Sequence, residues 1–143
     1  MARNTIQIRG VDRLIRRFQN FKDDIEREVE EELIATAKTE LETKAKESLT
    51  EKGHVDTGRL RASIYVKSIR EQTNSYSDRE GNHFVCNVHA QVGKMRIAFG
   101  TDVPYAKKIE RLDSFIYNNF NASKPIFKRN INNVLNRLCR QYS

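Results

Sequence analysis

Apolar residues recur along this chain in two rhythms, and the rhythm changes at glycines and prolines. Thr5-Ile6-Gln7-Ile8-Arg9 alternates polar and apolar, as a half-buried strand does, and Gly10 ends it. Val11, Leu14, Ile15, Phe18 and Phe21 then fall at helical spacing and predict a short first helix. Asp23-Asp24 suits the cap and first turn of a second helix. From there Ile25, Val29, Leu33, Ala37, Leu41, Ala45 and Leu49 recur every fourth residue to about Lys52, with no glycine or proline between them. This predicts an amphipathic helix of roughly 28 residues, about 42 Å long. Its outward face is expected to carry Glu26, Glu28, Glu30, Glu31 and Glu32.

Beyond Lys52 the period-two pattern returns. Gly53 to Gly58 reads as a loop in which Asp56 or Thr57 caps a short turn over Arg59, Leu60, Arg61 and Ala62. Three strands are expected: Ser63–Arg70, with Ile64 and Val66 opposite Tyr65 and Lys67; His83–Val92, with Phe84, Cys86, Val88 and Ala90 on one face; and Met95–Gly100. Consecutive strands of this kind predict an antiparallel meander. Between the first two, residues 71–82 are polar and read as a long mobile loop. Pro104 permits a helix with Tyr105, Ala106, Ile109 and Leu112 on one side, Tyr105 burying its ring. Asp113–Lys124 has no clear rhythm. Pro125 suits the first turn of a closing helix with Phe127, Ile131, Val134, Leu135, Leu138 and Tyr142 inward. The order of elements predicts an α+β fold. A small antiparallel sheet packs against a long amphipathic helix plus a C-terminal helix, in one domain spanning 1–143.

Composition changes this picture in one respect. Apolar residues make up 38% of the chain and tryptophan is absent, so the core is thin. An elongated shape, or support from partner subunits, is expected. No run is long enough to cross a membrane and no apolar stretch follows Met1-Ala2-Arg3-Asn4, so neither a span nor a signal peptide is read. Cys86 and Cys139 lack metal-binding spacing and read as reduced thiols. The net charge of +7 is unevenly spread. Residues 11–52 hold 9 basic against 12 acidic side chains, and residues 53–143 hold 15 against 7. A subunit stacked between unlike neighbours has a use for such a division.

Catalytic chemistry finds little to work with. Histidines stand at 54, 83 and 89; the last two, six apart in a predicted strand, lie about 20 Å from one another and cannot share a metal. The glutamates of the long helix are consecutive rather than arranged as an inward-facing ligand set, and no nucleophile elbow, phosphate loop or zinc signature occurs. No cofactor or metal is expected. A basic face on the closing helix, with Lys124, Lys128, Arg129, Arg137 and Arg140, and the nearby Phe115, Tyr117 and Phe120, leaves nucleic-acid contact open. A distant alternative is a small basic RNA-cleaving toxin using His54 or His83 with Arg59 and Arg61.

Four ordered landmarks carry a resemblance: Ile8-Arg9-Gly10 with Leu14; Val55-Asp56-Thr57-Gly58-Arg59-Leu60-Arg61-Ala62-Ser63-Ile64; Ile97-Ala98-Phe99-Gly100-Thr101 with Tyr105-Ala106-Lys107-Lys108-Ile109-Glu110; and Pro125-Ile126-Phe127. Together they resemble the tail-completion, or head–tail joining, family of lambdoid long-tailed phages. His54-Val55 stands where that family often has a proline, and Arg111-Leu112 where it has a glycine. The resemblance implies a non-enzymatic neck protein of the virion, assembled in the host cytoplasm. It would form a homo-oligomeric ring, hexameric rather than dodecameric, through which genomic DNA passes without sequence-specific binding. Other neck, connector and tail-tube proteins would be its partners; a tail terminator or head–tail connector of the same virion is the alternative. Interface or structural roles fall to Thr57, Gly58, Arg59, Arg61, Tyr105, Glu110, Lys128 and Arg129. Glu28, Glu31 and Glu32 are expected to face the DNA channel or a basic neighbour.

Overall fold

The computed structural model describes residues 10–69, 73–87 and 92–143. The alternating segment before Gly10, and Val88, His89 and Ala90, lie outside them. The chain opens with helix α1 (Val11–Ala37), which runs without a break through a π-helical stretch (Lys38–Thr43) into α2 (Lys44–Glu51). The two separate helices expected around Asp23-Asp24 are therefore one. No glycine or proline stops the chain there, and Asp24 is spent on side-chain partners: it pairs with Arg27 at 2.8 Å and accepts a hydrogen bond from the Tyr142 hydroxyl, which holds its carboxyl below the usual range.

The π-helical stretch follows from the sequence rhythm. On a helix of about 3.6 residues per turn, a residue every fourth position drifts by about 40° per step, so a stripe from Ile25 to Leu49 would wind away from its partner. One wide turn corrects the drift. Thr43 fills the widened turn by donating its hydroxyl to the Lys38 carbonyl at 2.8 Å. Val29, Ala37, Leu41, Ala45 and Leu49 are all buried as a result.

The closing helix α5 (Tyr117–Tyr142) packs antiparallel along α1 and its continuation. Contacts run in reverse order down the pair. Phe21 meets the Tyr142 ring at 5.0 Å, Arg137 bonds Glu28 at 3.3 Å, Asn130 bonds Thr36 at 3.1 Å and Asn119 bonds Ser48 at 3.2 Å. Val29, Val134 and Leu138 form the apolar seam at one end. Helix α5 starts eight positions before Pro125, the residue expected to open it, so the proline sits in its interior. The cost of about 3 kcal/mol for an internal proline is met by a strong cap at its start, described below.

Between the helices lie α3 (Arg59–Ser63), β1 (Tyr65–Lys67), β2 (Thr73–Ser77), β3 (His83–Asn87), β4 (Ala98–Gly100) and α4 (Ala106–Leu112). Among the described residues β1 pairs antiparallel with β4, and β2 with β3, giving two small sheets in place of the expected three-stranded meander. Much of the segment expected as a loop at 71–82 is strand β2 and a tight turn. Composition hid the turn's strength: Asp78 accepts from the backbone of Glu80 and Asn82, each at 2.9 Å, and Gly81 adopts a φ of 84°. Lys67, expected on the face opposite Val66, is buried as Val66 is. A second cluster joins Ala45, Leu49, Leu60, Ile64, Val103, Ala106 and Phe115, and a third joins Ala37, Leu41 and Val66. The long helix thus serves as the spine for every cluster.

The expected acidic face is divided by these contacts. Glu30 is buried and accepts the Met95 backbone N–H at 3.0 Å, Glu26 pairs with Lys94 at 3.8 Å, and Glu32 accepts from Thr36. At the opposite side of the spine, the first turns of α1 extend past the end of α5. Leu14, Ile15 and Phe18 are there 52%, 48% and 63% exposed.

Candidate functional site

The Thr57–Gly58–Arg59 segment is built by two adjoining helix ends. Helix α2 closes with Gly53 at φ 73°; the His54 N–H reaches the Leu49 carbonyl at 2.9 Å and the Gly53 N–H reaches Thr50 at 3.2 Å. This pair of bonds ends a helix and turns the chain sharply. Five residues beyond Gly53, Gly58 at φ 82° starts α3, with its carbonyl accepting the Ala62 N–H. The Thr57 hydroxyl accepts the Arg59 N–H at 3.3 Å, as expected of a capping side chain. The Thr57 carbonyl accepts the Arg79 N–H at 2.6 Å, so the β2–β3 turn is tied to this loop.

Gly58 is required twice over. Its φ is left-handed, and a Cβ there would stand 3.1 Å from Cγ of Arg79. Gly58→Ala should therefore lose about 1–2 kcal/mol in a urea titration. An unchanged midpoint would show that the loop relaxes freely.

Arg59 lies with its guanidinium 4.2 Å from the centre of the Phe84 ring, which stacks on Tyr76 at 5.3 Å. The Tyr76 hydroxyl donates to Asp102 at 2.9 Å. Burial pushes the Tyr76 phenol up, so it stays protonated and able to donate. Leu60 and Ile64 point inward as expected, and Arg61 is exposed. Thr57, Gly58, Arg59 and Tyr105 border a single open cleft of about 790 Å³, shared with Asp56, Asp78 and Glu80. Tyr105 is 44% exposed at its rim rather than buried, because Ala106 and Ile109 take the inward positions of α4.

Glu110 has a different place. Its carboxylate accepts the backbone N–H groups of Phe115, Ile116 and Tyr117 at 2.9–3.0 Å and the Ser114 hydroxyl at 2.7 Å. It thereby caps the start of α5. Burial pushes its carboxyl up, but the bonds from Tyr117, Ile116, Ser114 and Phe115 outweigh that and hold it below the usual glutamate value.

The remaining candidates are scattered. Lys128 and Arg129 are exposed on α5, remote from the cleft lining. Of Glu28, Glu31 and Glu32, only Glu31 is exposed. His54 contacts Asp113 at 2.6 Å, and His83 contacts Ser77 at 2.6 Å. Asp78, Glu80, Phe84 and Asp102 escaped sequence reasoning; the Asp78-Arg79-Glu80-Gly81-Asn82 turn signature was the signal available for the first two. Among the described residues no three His, Cys, Asp or Glu side chains gather as metal ligands, and no helix is long and apolar enough to cross a membrane.

A family model described as "Bacteriophage HK97-gp10, putative tail-component" matches residues 12–111, from the first turn of α1 to the end of α4. No curated protein and no solved structure matches the chain.

Proposed function

We propose, for a chain that belongs to the HK97-gp10-like family of phage tail components, a structural role in the virion neck. It completes the tail and joins it to the DNA-filled head as one subunit of a ring around the DNA path. The observation that carries this reading is the family match across both hallmark segments, Thr57–Ile64 and Tyr105–Glu110. What those segments do supports it: Gly58 and Glu110 are spent on turning and capping the chain, and Arg59 on stacking. These are the tasks of a scaffold, not of a reaction centre.

A hexameric ring is favoured over a dodecameric one, with other neck, connector and tail-tube proteins above and below. Genomic DNA passes through without sequence-specific contact. Within the acidic run the channel-facing role falls first to Glu31, the one of Glu28, Glu31 and Glu32 that is exposed.

A phage whose gene for this chain is interrupted should accumulate DNA-filled heads and separate tails, and the intact chain supplied in trans should restore plaques. Joined, infectious particles lacking the chain overturn the reading. Subunit counting by quantitative mass spectrometry of virions distinguishes six copies from twelve.

A further inference from the structure

The spine from Val11 to Glu51 is about 60 Å long. Its two ends carry complementary surfaces. At its start, α1 carries Val11, Leu14, Ile15 and Phe18 on a stripe that is 38–63% exposed among the described residues, with Leu14 and Phe18 beside Cys139 and Tyr142 at the end of α5. Exposed Arg13, Arg16 and Arg17 flank that stripe. Arg17 also donates to the Tyr142 carbonyl at 2.8 Å, which leaves Arg13 and Arg16 for a neighbour. Just past the other end lies the Thr57–Arg59 cleft, apolar at Val55, Leu60, Phe84 and Ile109 and lined by the carboxylates of Asp56, Asp78 and Glu80. Asp56 and Glu80 are exposed, while Arg59, the arginine of the lining among the described residues, is held against Phe84.

We propose that the α1 overhang of one copy docks in the Thr57–Arg59 cleft of the next. The proposal rests on the ring reading and names the surfaces that would join the subunits. Apolar side chains at helical spacing meet the cleft's apolar members and arginines meet its carboxylates, the pattern of a helix seated in a groove. The donor and acceptor surfaces differ and lie at opposite ends of one rod. The contact is therefore heterologous: it propagates from copy to copy and closes into a ring where the rotation permits.

The unchanged chain and two variants of it decide the matter by sedimentation at low salt and rising concentration. The unchanged chain should self-associate. Phe18→Asp, with the overhang spoiled and the cleft intact, and Glu80→Lys, with the reverse, should each weaken association at least tenfold. Both positions are exposed, and circular dichroism confirms folding. An equal mixture of the two should form dimers and nothing larger, because one good overhang and one good cleft remain per pair. A monomeric unchanged chain, or a monomeric mixture, overturns the docking. So does an oligomer indifferent to both substitutions, which leaves the ring reading standing on another interface. Virions that contain no copies of the chain overturn the ring reading without touching the solution result.

Discussion

Phe115→Ala should lower the unfolding free energy by about 3–5 kcal/mol, read as a lower urea midpoint at unchanged slope. Phe115 is 1% exposed and joins Ala45, Leu49, Leu60, Ile64, Val103 and Ala106, so it locks the start of α5 against the spine, α3 and α4 together. Neighbours on three different elements cannot all collapse into the space a phenyl ring leaves. For a chain with a thin core, this is a large part of the ~5–15 kcal/mol that domains have to lose. The midpoint temperature should fall on the order of 10 °C. A loss under about 1 kcal/mol would mean the ring is not the anchor its burial indicates.

Glu110→Ala should cost about 2–3 kcal/mol, because four donors at the start of α5 lose their acceptor and the helix dipole loses its countercharge. Glu110→Gln keeps one acceptor oxygen and should lose less. The pH dependence has a defined sign. The folded carboxyl is held below its ordinary value of 4.5, so its contribution is fully present above that pH and fades as pH falls through the lower folded value. The stability difference between the unchanged chain and Glu110→Ala should therefore shrink on acidification from neutral to well below pH 4.5. A difference that holds constant across that range would remove the charge from the explanation. Phe115 itself donates to Glu110 at 3.0 Å, so the two losses should not add.

The spine was legible because its evidence is repetitive: seven apolar residues at fixed spacing cannot be mistaken for a strand. Gly58 and the turn it makes were legible for the same kind of reason, since a glycine between a capping threonine and an apolar run has few other uses. The pairing of strands was not. Tyr65–Lys67 and Ala98–Gly100 are three residues each, too short for register to show in alternation, and their partnership depends on the spine lying beneath both. The start of α5 was hidden because its cap comes from Glu110, outside the helix and seven residues before its first turn. Pro125 then offered a misleading boundary. The cleft was half legible. Thr57, Gly58, Arg59 and Tyr105 were named from the chain, but Asp78 and Glu80 reach it from a turn whose polar composition disguised it as a loop, and Phe84 from an expected strand whose place beside the cleft alternation could not show.

The wide turn at Lys38–Thr43 also has a genetic consequence. It holds, in effect, one residue more than an ordinary helix needs, and each residue turns a helix by about 100°. A single-codon deletion there would therefore leave an ordinary helix whose two halves keep their relative facing, whereas the same deletion elsewhere in the spine would swing the arginine-flanked tip through roughly that angle about the rod axis. Loss of one codon in this stretch is thus a change the fold can absorb. Loss of one codon outside it is a change of aim, and compensating changes would be expected in whatever surface receives the tip.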